Sequence, residues 1–435
     1  MKYFAALLIV FCSIAPVHAK GLTFEQAKQL ALENSRMIKA YSRDLEASRY
    51  RYDQARGGYL PKLFLSETGL RTNEPGSAAF AKISQGKFDM NYFMTEMADP
   101  DRVTNYETKI EILQPVYMRG KIYFGIKQAK EMEKASLHTL ERVKQQVLLN
   151  LHRTFYGKAL ADTALAVTKK SYERTKEYYE TSRRFFENGM LVKSDLLVAQ
   201  SHLLMTEGAI RDAERQVEIT KSLLQRILGR EPEVESIWSV PDYGFQDDLS
   251  HYLDLGLQKR QDLKAMERYL LVNEYEMKKA KSSLLPEISV FASYAQNSEE
   301  LFGSDGDGYA VGARVRLNLF NGFSDVNRFR EQKSRYLSLQ NKIADKKLEI
   351  EVDVKDGFYS VLAAQKKMQA AKKRVEAAGE ALEITQNRFR AGILKVTDLL
   401  DREVEEREAE LGLYKSQYDL IISNAKLLFA AGVLQ

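Results

Sequence analysis

A twelve-residue phrase occurs twice in this chain, 203 residues apart. Phe186-Glu187-Asn188-Gly189-Met190-Leu191-Val192-Lys193-Ser194-Asp195-Leu196-Leu197 returns as Phe389-Arg390-Ala391-Gly392-Ile393-Leu394-Lys395-Val396-Thr397-Asp398-Leu399-Leu400. Phe, Gly, a hydroxyl residue, Asp and two Leu recur in register. Phe155-Tyr156 and Gly229 return at the same offset as Phe358-Tyr359 and Gly432, whereas Leu60-Pro61 returns at an offset of 225 as Leu285-Pro286. The chain is therefore two copies of one unit, and a repeat of this length constrains the fold more than any local propensity. The change of offset requires a 22-residue insertion in the first copy. It falls between Leu70 and Tyr106, where Pro75, Gly76, Gly86 and Pro100 predict a long loop.

Proline placement predicts the helices. None of the eight prolines lies between Val116 and Glu231 or between Glu287 and Gln435. Proline breaks helix interiors, so both windows permit very long helices. After Ser194 a strict heptad runs through Leu196, Leu203, Ile210, Val217 and Leu224, with Ala199, Thr206, Ala213, Thr220 and Ile227 as the second column. That pattern fits coiled-coil packing, whether of two strands or more. The second copy places Leu399, Leu413, Leu420 and Leu427 in one column, interrupted by Glu406, and Arg402, Ala409, Ser416, Ser423 and Ala430 in the other. Asn188-Gly189 and Ala391-Gly392 read as helix stops. Ser194-Asp195 and Thr397-Asp398 read as helix starts, with side-chain oxygens capping free amides.

Short alternating segments lie between the helices. Val311, Ala313, Val315, Leu317 and Leu319 point one way, and Gly312, Arg314, Arg316 and Asn318 the other. Ile288, Val290, Ala292 and Tyr294 alternate in the same way, as do Leu63 with Leu65 and Ile110 with Ile112. Such alternation fits both membrane β-strands and a soluble half-buried sheet. Four strands cannot close a barrel, which needs about eight. A membrane reading therefore requires oligomerisation, and a trimer supplies twelve strands.

Residues 1–19 read as an export signal: Lys2, the apolar run Ala5–Ile14, and Val17-His18-Ala19 before the cleavage point. The only cysteine, Cys12, lies within it and follows the bulky Phe11, a poor context for lipid attachment. The net charge of +5 is mixed in sign along the chain, which disfavours a nucleic-acid binder. The histidines are scattered and no phosphate loop occurs, so neither catalysis, a cofactor nor a metal is expected. Gly303-Ser304-Asp305-Gly306-Asp307-Gly308 reads as an external turn.

The signal, the duplication, the Leu-Pro before the first strand of each copy and the Phe-x-x-Gly…Ser/Thr-Asp-Leu-Leu phrase together resemble the TolC-like outer-membrane efflux proteins. The resemblance implies a mainly α fold with a small β part. Long coiled-coil helices would form a trimeric α-barrel, and four strands per subunit a twelve-stranded transmembrane β-barrel. The domains would be a first repeat over 20–230 (strands near 59–70 and 106–117, hairpin 121–230), a linker over 231–247, and a second repeat over 248–435 (strands near 285–295 and 309–320, hairpin 324–432). The implied function is a passive exit duct in the outer membrane, serving tripartite efflux or type I secretion. Its partners would be a periplasmic adaptor, an inner-membrane pump and outer-membrane lipid. By the same resemblance Asp398 and Asp401, with Ser194, Asp195 and Thr397, would line the periplasmic entrance. Gly189, Met190, Leu191, Gly392, Ile393 and Leu394 would form the adaptor-docking tip. The family's latch residues fall on Phe389 and Leu394, which cannot make the same bonds, so the closing latch here must differ or be weaker. The competing reading is a periplasmic coiled-coil adaptor or spacer that never enters the membrane; it needs no apolar face on Val311, Val315 and Leu319.

Overall fold

The computed structural model describes residues 22–230 and 241–435. The export signal, Cys12 and most of the linker lie outside them. The described chain is mainly helical, with one four-stranded sheet. Its elements are α1 (Phe24–Asn34), α2 (Arg36–Gly57), β1 (Lys62–Thr72), α3 (Pro75–Ser84), β2 (Val103–Met118), α4 (Lys121–Glu187), α5 (Lys193–Leu228), α6 (Leu249–Lys259), α7 (Gln261–Lys281), β3 (Glu287–Ser298), β4 (Gly306–Arg316), α8 (Ser324–Arg390) and α9 (Val396–Ala430). Helices α4 and α8 each run for 67 residues, as the absence of proline allows.

The chain divides into two compact units. One holds the residues up to Tyr41, Leu140–Gln261 and Lys347–Gln435; the other holds Ser42–Thr139 and Asp262–Lys346. Each unit draws on both copies of the repeat.

The second unit carries the sheet, antiparallel in the order β1-β2-β3-β4. Its register sorts the side chains by face. Leu63, Ile112, Ala292 and Val311 form one cross-strand row, and Leu65, Ile110, Tyr294 and Tyr309 the next. The opposite face carries Phe64, Glu111, Ser293 and Ala310, with Arg314 beside Ser289 and Arg316 beside Glu287. The apolar face is open: Leu65 is 70% exposed and Val311 75%. Pro115, which cannot donate to a ladder, sits at a bulge in the interior strand β2, and the shift pairs Tyr117 with Ile288 on the apolar face. Strand β4 stops at Arg316, so the expected continuation through Leu317 and Leu319 is not strand.

The insertion is not a bare loop. Pro75 opens α3, whose Ala78 and Ala81 pack on Val103. A π-helical turn follows at Tyr92–Glu96. Alanine and a first-turn proline make this segment a good helix, which its Pro and Gly content disguised. It is tied to the β3–β4 turn by Lys82 to Glu299 at 2.9 Å and Lys87 to Asp305 at 2.8 Å. Beneath them runs an amide chain: Gln85 Nε2 donates to Asn105 Oδ1 at 2.9 Å, and Asn105 Nδ2 to Asn297 Oδ1 at 2.8 Å.

The first unit packs the two repeats around aromatic clusters. Phe24 meets His152, Phe155 and Tyr156, and Phe245 meets Tyr252 and Phe358. Burial holds the His152 imidazole below its ordinary range, and its Nδ1–H donates to the Leu148 carbonyl at 2.8 Å. Both heptad columns of α5 are buried or half-buried; Ala199, Thr206, Thr220 and Leu224 are fully buried. In α9 the second column fails at its start. Arg402 is exposed and pairs with Glu405 at 2.5 Å, and Glu403 turns inward instead. The reason is that α9 buries a broader face than a two-column seam, with Leu400, Ile421, Ile422 and Ala425 enclosed as well.

Candidate functional site at the paired helical turns

Both copies of the repeated phrase form the same turn in the first unit. Met190 N–H donates to Phe185 O at 2.8 Å and Gly189 N–H to Phe186 O at 3.0 Å. Ile393 to Arg388 and Gly392 to Phe389 repeat the pair at 3.0 and 2.9 Å. These are Schellman stops, and the glycines supply the left-handed backbone that the motif needs, with φ of 73° and 70°. The two turns lie side by side: a Cβ built on Gly392 would stand 3.9 Å from the Met190 methyl. Met190, Val192 and Ile393 are exposed.

The helix starts differ from the expected caps. Val192 and Lys395 occupy the N-cap positions in extended conformation, and neither gives a side-chain cap. Helices α5 and α9 begin before the hydroxyl residues, which puts Ser194 and Thr397 inside the first turn, past the point where their oxygens meet the free amides. Ser194 Oγ instead lies 3.4 Å from Asp195 Oδ1. Asp195 and Asp398 sit in the first turns, where the helix dipole favours a carboxylate. Asp398 and Asp401 are both exposed, one helical turn apart, and among the described residues neither has a hydrogen-bonding or ionic partner.

Beneath the turns the four long helices share one apolar cluster. It joins Tyr178 of α4, Ala199 of α5, Leu382 and Phe389 of α8, and Val396, Leu399 and Leu400 of α9. Phe389 is among the most deeply buried side chains, with the Phe185 ring 5.7 Å away. The position expected to fail as a latch is thus a packing anchor. Leu394 is half-buried at the turn.

Next to this cluster lies a charge network that the sequence reading missed. Arg174 Nη2 of α4 reaches Glu406 at 2.5 Å and Glu403 at 3.4 Å, and Arg407 reaches Glu403 at 3.9 Å and Ser171 Oγ at 3.2 Å. Glu403 is 2% exposed. Helix α4 presents a seam of hydroxyl side chains here, with Ser171, Thr175, Tyr178 and Ser182 buried. Among the described residues Tyr178 Oη has no hydrogen-bond partner, and burial pushes its phenol up to about 12. The legible signal was Glu406 itself, the one charge in a leucine column. At the edge of the turn region Arg390 pairs with Glu177 at 2.9 Å.

Among the described residues no cluster of His, Cys, Asp and Glu could hold a metal, and no helix is long and apolar enough to cross a membrane.

A mainly helical chain built twice, with paired helical turns and a four-stranded sheet bearing an open apolar face, has the architecture of an outer-membrane channel subunit. The sequence model of the outer membrane efflux protein family matches residues 27–230 and again 252–433, and the chain belongs to that family. It is 23% identical to the alkaline protease secretion protein AprF of Pseudomonas aeruginosa, over 93% of this chain and 83% of that protein. It is 20% identical to the proteases secretion protein PrtF of Dickeya chrysanthemi, over 100% and 93%. Its fold is that of the Campylobacter jejuni CmeC outer membrane channel, with a TM-score of 0.81, 15% identity and coverage of 97% and 90%. The open-state Neisseria gonorrhoeae MtrE channel is similar at 0.75, with 18% identity and coverage of 95% and 90%. Family and fold are those of channels, and the periplasmic-spacer reading falls with them.

Proposed function

We propose that this channel is the exit duct of a type I protein-secretion assembly. The observation that carries the reading is its alignment, over nearly the whole chain, with two proteins named for protease secretion. The solved channel structures support the fold alone.

Three copies would form the working duct. Strands β1 and β4 are the free edges of the sheet. Unpaired backbone cannot face lipid, so a membrane-embedded sheet must close edge to edge with copies of itself. Export to the outer membrane would use the segment at residues 1–19. The turn residues Gly189, Met190, Leu191, Gly392, Ile393 and Leu394 would meet a periplasmic adaptor, and the adaptor's inner-membrane pump would supply the energy. Asp398 and Asp401, repeated three times, would ring the entrance with carboxylates, drawing cations and repelling anions. Ser194, Asp195 and Thr397 would stand beside that ring.

Complementation tests the cargo. A P. aeruginosa strain lacking AprF should regain extracellular protease when it expresses this chain with its own adaptor and pump. No protease in the medium, with drug tolerance regained when the chain is expressed in a strain lacking its efflux channel, would place the chain in small-molecule efflux instead.

A further inference from the structure

Below the apolar face of the sheet, within the second unit, the chain forms an open bowl of about 730 Å³. Tyr59 precedes β1 and Tyr117 lies near the end of β2; Tyr123 and Phe124 come from the first turn of α4, and Leu284 and Leu285 from the segment before β3. Two cations complete it, Lys278 and Lys281, both in the last turn of α7. Among the described residues no acidic side chain lines it. The size is that of a small-molecule site.

The wall is built rather than incidental. Gly120, in left-handed backbone, lets the Phe124 ring come within about 3.0 Å of where a Cβ would stand. Tyr123 meets Phe124 edge to face at 5.3 Å, and Lys127 lies over the Tyr123 ring at 5.7 Å. Lys278 is held by Glu274 at 2.6 Å and lies over Tyr275. Lys281 is exposed and has no ion-pair partner among the described residues. Tyr59, Tyr117, Tyr123 and Leu284 are also exposed.

The bowl is continuous with the lipid-facing surface. The bulge at Pro115 sets Tyr117 beside Ile288 on the apolar face, and from Ile288 the ladder passes to Val315. A ligand here would rest apolar chains on Ile288, Val290 and Val315 while its polar end met the lysines. Aromatic rings mark the headgroup level of a membrane, and lysines beside them favour anionic headgroups.

We infer that this bowl binds one acidic phospholipid per subunit, the headgroup at Lys278 and Lys281 and the acyl chains along the apolar face of β3 and β4. The inference rests on the outer-membrane placement alone and is independent of the cargo.

The test uses the full chain, reconstituted in vesicles of phosphatidylethanolamine and phosphatidylglycerol, re-extracted and weighed with its retained lipids by native mass spectrometry. The wild type should keep phosphatidylglycerol in preference to phosphatidylethanolamine. Lys278→Gln with Lys281→Gln should lower that retention about thirtyfold, the scale expected for two lysines at a membrane surface. Tyr123→Ala should lower retention of both lipids by opening the wall. Equal retention of the two lipids by the wild type, or undiminished phosphatidylglycerol on the double variant, overturns the proposal. So does a lipid-free wild type in which Leu284→Glu dissociates the subunits, since a neighbouring copy would then be the occupant.

Discussion

Arg174 of α4 and Glu406 of α9 meet at 2.5 Å, 232 residues apart in sequence, beside the apolar cluster that the four long helices share. The pair is mostly enclosed, and Glu403 beside it is fully so. It joins the first hairpin to the second next to the paired turns.

Removing one member of this network leaves the other charges stranded. Arg174→Met should destabilise the folded chain by about 2–4 kcal/mol, toward the lower end because Arg174 keeps some contact with water. The triple variant Arg174→Met, Glu403→Leu, Glu406→Leu should recover most of that loss, because the one charge it leaves without a carboxylate, Arg407, keeps Ser171 Oγ and some contact with water. Denaturant unfolding followed by circular dichroism checks both. A triple variant as unstable as the single one would show that the network does more than satisfy itself.

The turn glycines carry a conformational requirement. Gly189→Ala and Gly392→Ala force a side chain into left-handed backbone and should each cost about 1 kcal/mol, with Asn at either site costing less. Thermal unfolding of the four variants gives the comparison.

The paired carboxylates are expected to set ion preference. Asp398→Ala with Asp401→Ala should weaken cation selectivity in planar bilayers while leaving assembly intact. An unchanged reversal potential would remove the proposed ring.

Docking at the tip makes a separate demand. Met190→Asp with Ile393→Asp places charge on two exposed apolar side chains of adjacent turns. Co-purification of the adaptor should drop sharply, with the oligomer unaffected.

His152 gives the fold a pH dependence of known sign. Its folded-state pKa is depressed, chiefly by burial. Below the unfolded value of about 6.5 the unfolded chain takes up a proton that the native site resists. The stability is therefore complete above that pH and declines as pH falls toward the folded pKa, by at most about 1.4 kcal/mol per unit. His152→Phe, which keeps a ring against Phe24 and Tyr156, should flatten the fall of the melting temperature as pH drops below about 6.5.

Much of this architecture was written locally. Missing prolines, unbroken heptads and the glycine stops are properties of neighbouring residues, and α4, α5, α8 and α9 follow from them. Alternation along the strands likewise fixed which face is apolar, since successive side chains must point opposite ways. The repeat showed that one turn would be made twice. The helix starts were misread because hydroxyl and acidic residues suit both a cap and a first turn, and only backbone geometry separates Val192 from Ser194 as the N-cap. The insertion was misread because Pro75 can open a helix as well as forbid one.

What the sequence by itself determined is the set of elements and the faces they present, because both depend on spacing within a few residues. Tertiary structure alone decided which buried group answers which. Glu403 turned inward and Arg402 outward because α9 encloses a face wider than the heptad predicts, and a carboxylate there is tolerable only with Arg174 and Arg407 beside it. Phe389 became an anchor because Phe185 and Leu382 closed around it. The bowl at Tyr59, Tyr123 and Lys278 exists because three distant segments end at one place beneath the sheet. Burial and partnership across hundreds of residues are properties of the packed chain, and no local pattern encodes them.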